Sequence, residues 1–253
     1  MRTNMGKGWA VSLPWLRVAM VAAVWAGTMG VLALLDQPAE PAAASVFSGL
    51  TLLPVNIASL LLVRTLVHRE GGTLRTFAGF DRSRLGRDIL WGLLWLMVLW
   101  LPFAAAIMGT MFALYGTDAF TAFERVFAPD AAQLPALTPV AGAVFGILAV
   151  VTFAPLNAPT EEFVYRGFAQ GGLQRAGRPM LAVLLPSLAF GVQHIFFAST
   201  APGMLVLGVA FVVWGLGSAL IYRWQGRLMP LIIAHVIVNL GTSAPALVLP
   251  FVL

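Results

Sequence analysis

Ile89–Tyr115 reads ILWGLLWLMVLWLPFAAAIMGTMFALY and carries no charged side chain from end to end. An uncharged apolar run of about 18 or more residues is long enough to cross a bilayer as a helix. It holds Trp91, Trp95 and Trp100 and a single proline, Pro102. Outward from it, two similar runs precede it, about Trp15–Leu35 and Ser45–Leu66. Four follow: Thr138–Phe153, Met180–Phe197, Met204–Tyr222 and Leu228–Leu240, the last extending past Gly241 towards Leu253. The reading is an all-α, polytopic transmembrane helix bundle of about seven to eight membrane segments.

Composition agrees. The chain has 253 residues, 60% hydrophobic and 10% charged, with a mean hydropathy of +0.90. A soluble domain carries about 25% charged residues and could not cover its surface with so few. There are no cysteines, which excludes disulfides, thiolate zinc sites and cysteine nucleophiles. The first run precedes a small-residue stretch, Ala42–Ala44, that resembles a signal-peptide cleavage site. The run exceeds the roughly 7–15 residues of a signal-peptide core, so it reads as an uncleaved span.

The formal charge of +5 and pI near 10.7 come from arginines between the apolar runs, not from a nucleic-acid patch. Arg2, Lys7 and Arg17 flank the first run. Arg64, Arg69, Arg75, Arg82, Arg84 and Arg87 make the most basic loop, and His68 lies in it, solvated. Asp118, Glu124 and Asp130 make an acidic loop against Arg125 alone. Arg166, Arg175 and Arg178, then Arg223 and Arg227, are basic again. Lys and Arg mark the cytoplasmic side, so the expectation is an integral protein of the cell (inner) membrane with a cytoplasmic N-terminus. Its surroundings are membrane lipids, and nucleic acid is not expected as a partner.

Three segments do not suit a membrane interior, and all lie in the C-terminal half. The first is Thr160–Arg166. A Pro155–Pro159 break ends the run before it, and Thr160 suits the N-cap of a polar helix to about Ala176. Glu161 and Glu162 then sit in its first turn. Glu162 and Arg166 are four apart and can pair, which leaves Glu161 without a partner. The second is Phe190-Gly191-Val192-Gln193-His194, and the third is His235-Val236-Ile237-Val238-Asn239. Each has a bland reading: a capped interfacial helix with one ion pair, a packing histidine, an interhelical His–Asn clasp. Together they put carboxylates, two imidazoles and an amide into an apolar bundle. Ionisable groups there usually line a cavity or relay, and this set can activate water and stabilise an oxyanion.

Glu161-Glu162-x-x-x-Arg166, Phe190-x-x-x-His194 and His235-x-x-x-Asn239, in that order, resemble the signature motifs of the CPBP family of intramembrane peptidases. That family includes type II CAAX prenyl endopeptidases and bacteriocin-processing, Abi-like or immunity proteins. The resemblance covers roughly Ala154–Leu240, and Gly167 after Arg166 fits it. It implies Glu161 as the base that activates water, His194 as a holder of that water, and His235 and Asn239 as donors to the oxyanion. Glu162 and Arg166 would be the supporting pair. It also divides one continuous membrane domain into N-terminal helices, 1–136, and a catalytic core, 137–253, that carries the motifs. The implied activity is an intramembrane endopeptidase acting on membrane-proximal or lipidated peptides or proteins, CAAX-like prenylated ones among them.

Metal stays open. Glu161, His194 and His235 form a candidate His₂Glu zinc set. Against it, the H-E-x-x-H helix of zinc peptidases is absent, and no further carboxylate remains as base if Glu161 is a ligand. The preferred expectation is water activation without a cofactor, with zinc as the alternative. Two other functions compete: a non-proteolytic immunity or scaffold protein on the same fold, and a proton-coupled transporter with a Glu–His relay. The transporter reading predicts a repeat pairing the two halves, and none is visible. One geometric conflict also stands. Glu161 at a helix start lies near the cytoplasmic side, whereas His194, late in an outward span, lies far from it.

Overall fold

The computed structural model describes residues 5–128 and 130–244, and all regular elements among them are helical. The seven main helices are α1 (Met5–Leu34), α2 (Leu53–Arg69), α3 (Leu85–Tyr115), α4 (Pro139–Glu161), α5 (Pro179–His194), α6 (Ala201–Gln225) and α7 (Met229–Ser243). α4 runs on without a break through a π-helical stretch, Glu162–Gln170, to Arg175. Six helical segments are long and apolar enough to cross a membrane; α7 is apolar but has 15 residues. The expected extension of the last run towards Leu253 lies outside the described residues beyond 244, as does Arg2.

The helix ends follow local chemistry. Thr138 caps α4 by accepting from the Ala141 amide, with Pro139 in the first turn where its missing N–H costs nothing. Thr200 caps α6 through Gly203 and also donates to the Val126 carbonyl. Gly226, with φ +67°, ends α6 in the left-handed conformation that glycine tolerates. Arg227 and Asp88, 2.6 Å apart, and a Trp95–Gln225 hydrogen bond fasten that turn to α3.

α5 packs most extensively on α6, α6 and α7 on α3, and α1 on α5. A Cβ on Gly191 would lie 2.6 Å from the Gly208 carbonyl oxygen, so the two backbones of the α5–α6 pair approach because Gly191 has no side chain. The core beside this contact is aromatic, built on Phe103, Phe190, Phe211 and Trp214. On the outside, Leu90, Met97 and Leu101 of α3 are well exposed and form a lipid-facing surface.

Two expectations about α4 are corrected here. Pro155 and Pro159 do not end the helix; both lie inside it. In a membrane, neighbouring helices and hydroxyl side chains re-satisfy backbone freed by proline. Thr160 is accordingly not an N-cap, and its hydroxyl donates back to the Leu156 carbonyl. Arg17 is likewise not a flanking charge; it lies within α1 and is fully buried.

Candidate active site

The continuity of α4 removes the depth conflict. Glu161 lies fourteen residues before Arg175, and His194 fifteen residues after Pro179. A tight turn through Gly177, with φ +73°, joins these helices. Helical runs of similar residue number on either side of one turn bring the end of α5 back beside Glu161. The link is direct in the neighbouring residue: the Gln193 amide nitrogen donates to Glu161 Oε1 at 2.7 Å.

Adjacent residues on a helix point about 100° apart, so the two carboxylates face different neighbours. Glu161 Oε1 accepts from Gln193 and from Arg17, the latter at 3.0 Å. Glu161 Oε2 has no hydrogen-bond partner. Glu162 Oε1 pairs with His235 Nδ1 at 2.9 Å, and Glu162 Oε2 lies 3.7 Å from Arg166 Nε. His235, from α7, stands at the seam between them, its Nε2 3.4 Å from Glu161 Oε2. The carboxylate at Nδ1 puts the ring hydrogen there in neutral His235, which leaves Nε2 a lone pair. Asn239 follows one turn along α7, buried, with its amide nitrogen unpartnered.

His194 is placed by a different device. Its Nδ1 lies 2.6 Å from the Phe190 carbonyl oxygen, which only accepts, so Nδ1 carries the hydrogen and Nε2 is the acceptor. The ring stacks on Phe211 at 3.6 Å between centroids and on Phe197 at 5.2 Å. Arg166 lies over Phe190, 4.5 Å from the ring centroid. A buried guanidinium is favoured by such an aromatic face, and the contact ties the first two motifs together.

The expected residues Glu161, Glu162, Arg166, His194, His235 and Asn239 are all buried. Around them stand residues that the motif reading did not single out. Arg17 Nε donates to Gln193 at 3.2 Å and its NH1 to Ser59 at 3.1 Å. Its NH2 reaches Asn56 at 2.8 Å, Asn157 at 2.9 Å and Glu161 at 3.0 Å. Tyr165 OH donates to Gln193 Oε1. Glu161, which the sequence left without a partner, therefore has one from α1. A sequence signal for Arg17 existed: an arginine enclosed by Leu16 and Val18 inside an apolar run is costly unless paired.

For zinc the residues fit poorly. A zinc site needs three protein ligands plus water, or four. Among the described residues no group of three His, Cys, Asp or Glu side chains is placed to hold an ion. Of the expected set, Glu161 and His235 approach each other; the contacts of His235 Nδ1 with Glu162 and of His194 Nδ1 with the Phe190 carbonyl leave both Nε2 atoms open and do not themselves argue against a metal.

Fold and site together define an integral membrane protein of the helical-bundle class with a buried acid–base cluster. Residues 140–241 match the family model of the type II CAAX prenyl endopeptidase Rce1-like proteins, and this match supports membership of the CPBP and CAAX endopeptidase family. The family suggests a protease acting inside the membrane on peptide or protein substrates. The matched stretch holds all three motifs; Arg17, Asn56 and Ser59 lie outside it. No curated protein and no solved structure matches the chain.

Proposed function

We propose that the protein is an intramembrane endopeptidase that hydrolyses membrane-proximal or lipidated peptides, CAAX-like ones included, with water activated by Glu161. One observation carries this reading: the division of labour within the Glu161 carboxylate. Oε1 is held by two donors, while Oε2 is buried, unpartnered and 3.4 Å from His235 Nε2. A base needs one free, aimed lone pair, and Oε2 offers it.

In the proposed reaction a water molecule, held by His194 Nε2, gives a proton to Glu161 Oε2 as its oxygen attacks the scissile carbonyl carbon. The proton rests between Oε2 and His235 Nε2 and then passes to the leaving amine as the C–N bond breaks. Negative charge on the carbonyl oxygen meets a donor, and Asn239 Nδ2, which has no hydrogen-bond partner, is available for that role. The resemblance assigns His235 to this oxyanion as well. With its ring hydrogen on Nδ1 facing Glu162, His235 serves better as a proton holder. Glu162 and Arg166 keep the ring in that orientation.

The test is a panel of quenched-fluorescent peptides, a prenylated CAAX peptide among them, offered to the purified protein and to Glu161→Ala and His194→Ala. Cleavage by the parent protein that both variants lose supports the reading. A folded parent that cleaves nothing argues for a scaffold or immunity role.

A further inference from the structure

Arg17 is, with Arg166, one of the two largest fully buried side chains among the described residues, with 0% exposure, and it lies in the first membrane helix. A lone guanidinium there would be expelled or would pull water in. This one instead meets acceptors from three other helices: Asn56 and Ser59 of α2, Asn157 and Glu161 of α4, and Gln193 of α5. Asn56 and Ser59 stand three apart, on one face of α2, with 1% and 0% exposure. α2 therefore presents an acceptor pair to α1.

The contacts have an order. Arg17 Nε and Tyr165 OH both donate to Gln193 Oε1. Two donors at that oxygen fix which end of the Gln193 amide faces them, so its NH₂ group is turned to Glu161 Oε1. Arg17 NH2 donates to the same Oε1. Arg17 thus sets both hydrogen bonds on Oε1, one directly and one through Gln193. With Oε1 occupied, the free lone pairs of the carboxylate are those of Oε2, beside His235.

From this we infer that Arg17 is a positioning residue of the catalytic base: it turns the Glu161 carboxylate so that Oε2 faces the reaction space. The N-terminal helix is then part of the active site, although the family match begins at residue 140. The inference rests on the peptidase reading above. Only an arginine provides it, because a planar fork of five donors spans several acceptors at once, whereas a lysine offers one nitrogen.

The experiment uses the full chain, purified, with Arg17→Met, Arg17→Lys, Glu161→Gln and the Arg17→Met/Glu161→Gln double variant. Thermal unfolding is measured for all four, and kcat and KM on a cleaved peptide for the two single Arg17 variants. Arg17→Met strands a buried carboxylate, so its Tm falls, and Glu161→Gln in the same chain restores part of the loss. In the folded fraction Arg17→Met lowers kcat about tenfold to a hundredfold, with KM within about twofold of the parent. Arg17→Lys keeps the charge and loses the fork, so it recovers Tm more fully than kcat. Additive Tm changes in the double variant, or a folded Arg17→Met with unchanged kcat, overturn the inference. So does full recovery of kcat by Arg17→Lys, which would leave charge alone as the cause. Failure of the peptidase reading looks different: the parent protein cleaves no peptide, and the positioning role falls with it, while non-additive Tm values still mark the Arg17–Glu161 pair.

Discussion

Asn239 and Glu162 test different parts of the site at the scale of single side chains. Asn239 Nδ2 has no partner in the resting protein, so Asn239→Ala removes a donor without stranding a neighbour. Loss of one oxyanion donor costs about 10²–10³ in kcat, and that drop, with little change in KM or Tm, is the expected kinetic result. Glu162→Gln acts through others, since it weakens the hold on both His235 and Arg166. Breaking a buried pair by removing one partner costs about 3–5 kcal/mol; the isosteric amide keeps some hydrogen bonding, so a lower Tm accompanies the loss of rate. Glu161, Glu162, Arg166, His194, His235 and Asn239 were legible in the sequence because charged and polar groups stand out against apolar runs. Arg17 was passed over, because an arginine near the end of a run reads as a topology signal, although its place inside the run marked a charge in need of a partner. Its partners are 39 to 176 positions away, and no local spacing announces them. Gln193 lay in plain view beside His194, but an amide has many bland uses, and only its two-sided contact with Arg17 and Glu161 distinguishes it.

At the scale of elements, α4 is where sequence reasoning and structure part. A proline pair is a sound stop signal in water, where a broken helix can find solvent. In this bundle the chain continues through both prolines and widens into a π-helical stretch at Glu162. Short π-helical turns are frequent at functional sites, and here the widening begins between the two glutamates. The apolar runs and most termini were readable from length, hydropathy and Pro or Gly punctuation; the tilt and depth of each helix were not, because those are set by packing. Gly191 gives this packing a direct test. Gly191→Val places a side chain against the Gly208 carbonyl and Val212, and overpacking of this kind costs about 1–3 kcal/mol. A lowered Tm and reduced activity are expected together, because α5 carries Gln193 and His194. Gly27→Ala is the control: nothing lies within 4 Å of its added Cβ, and Tm should hold or rise.

For the whole molecule, orientation and metal dependence are the open proposals. The positive-inside rule puts the arginine-rich loop in the cytoplasm and the Asp118–Asp130 loop on the other side. The chain has no cysteine of its own, so single substitutions report without background. Arg75→Cys should react with an impermeant maleimide only from the cytoplasmic face, and Asp118→Cys only from the opposite face. Reversal of the two would turn the molecule over while leaving its chemistry intact. Incubation with a strong chelator should leave kcat within about twofold, as no three-ligand group is assembled among the described residues. Activity lost to the chelator and regained with zinc would mean that the ligands gather only when metal binds.

The central claim is that Glu161 supplies the base, and Glu161→Gln tests it most directly. The amide keeps size and burial, so Tm should change less than in Glu161→Ala, while its Oε and Nε cannot take a proton from water. On any peptide that the parent protein cleaves, single-turnover cleavage by folded Glu161→Gln should fall by about 10²–10⁴-fold, the contribution of a general base. Cleavage by that variant at the parent rate would contradict the account, and the activating group would have to be sought elsewhere in the cluster.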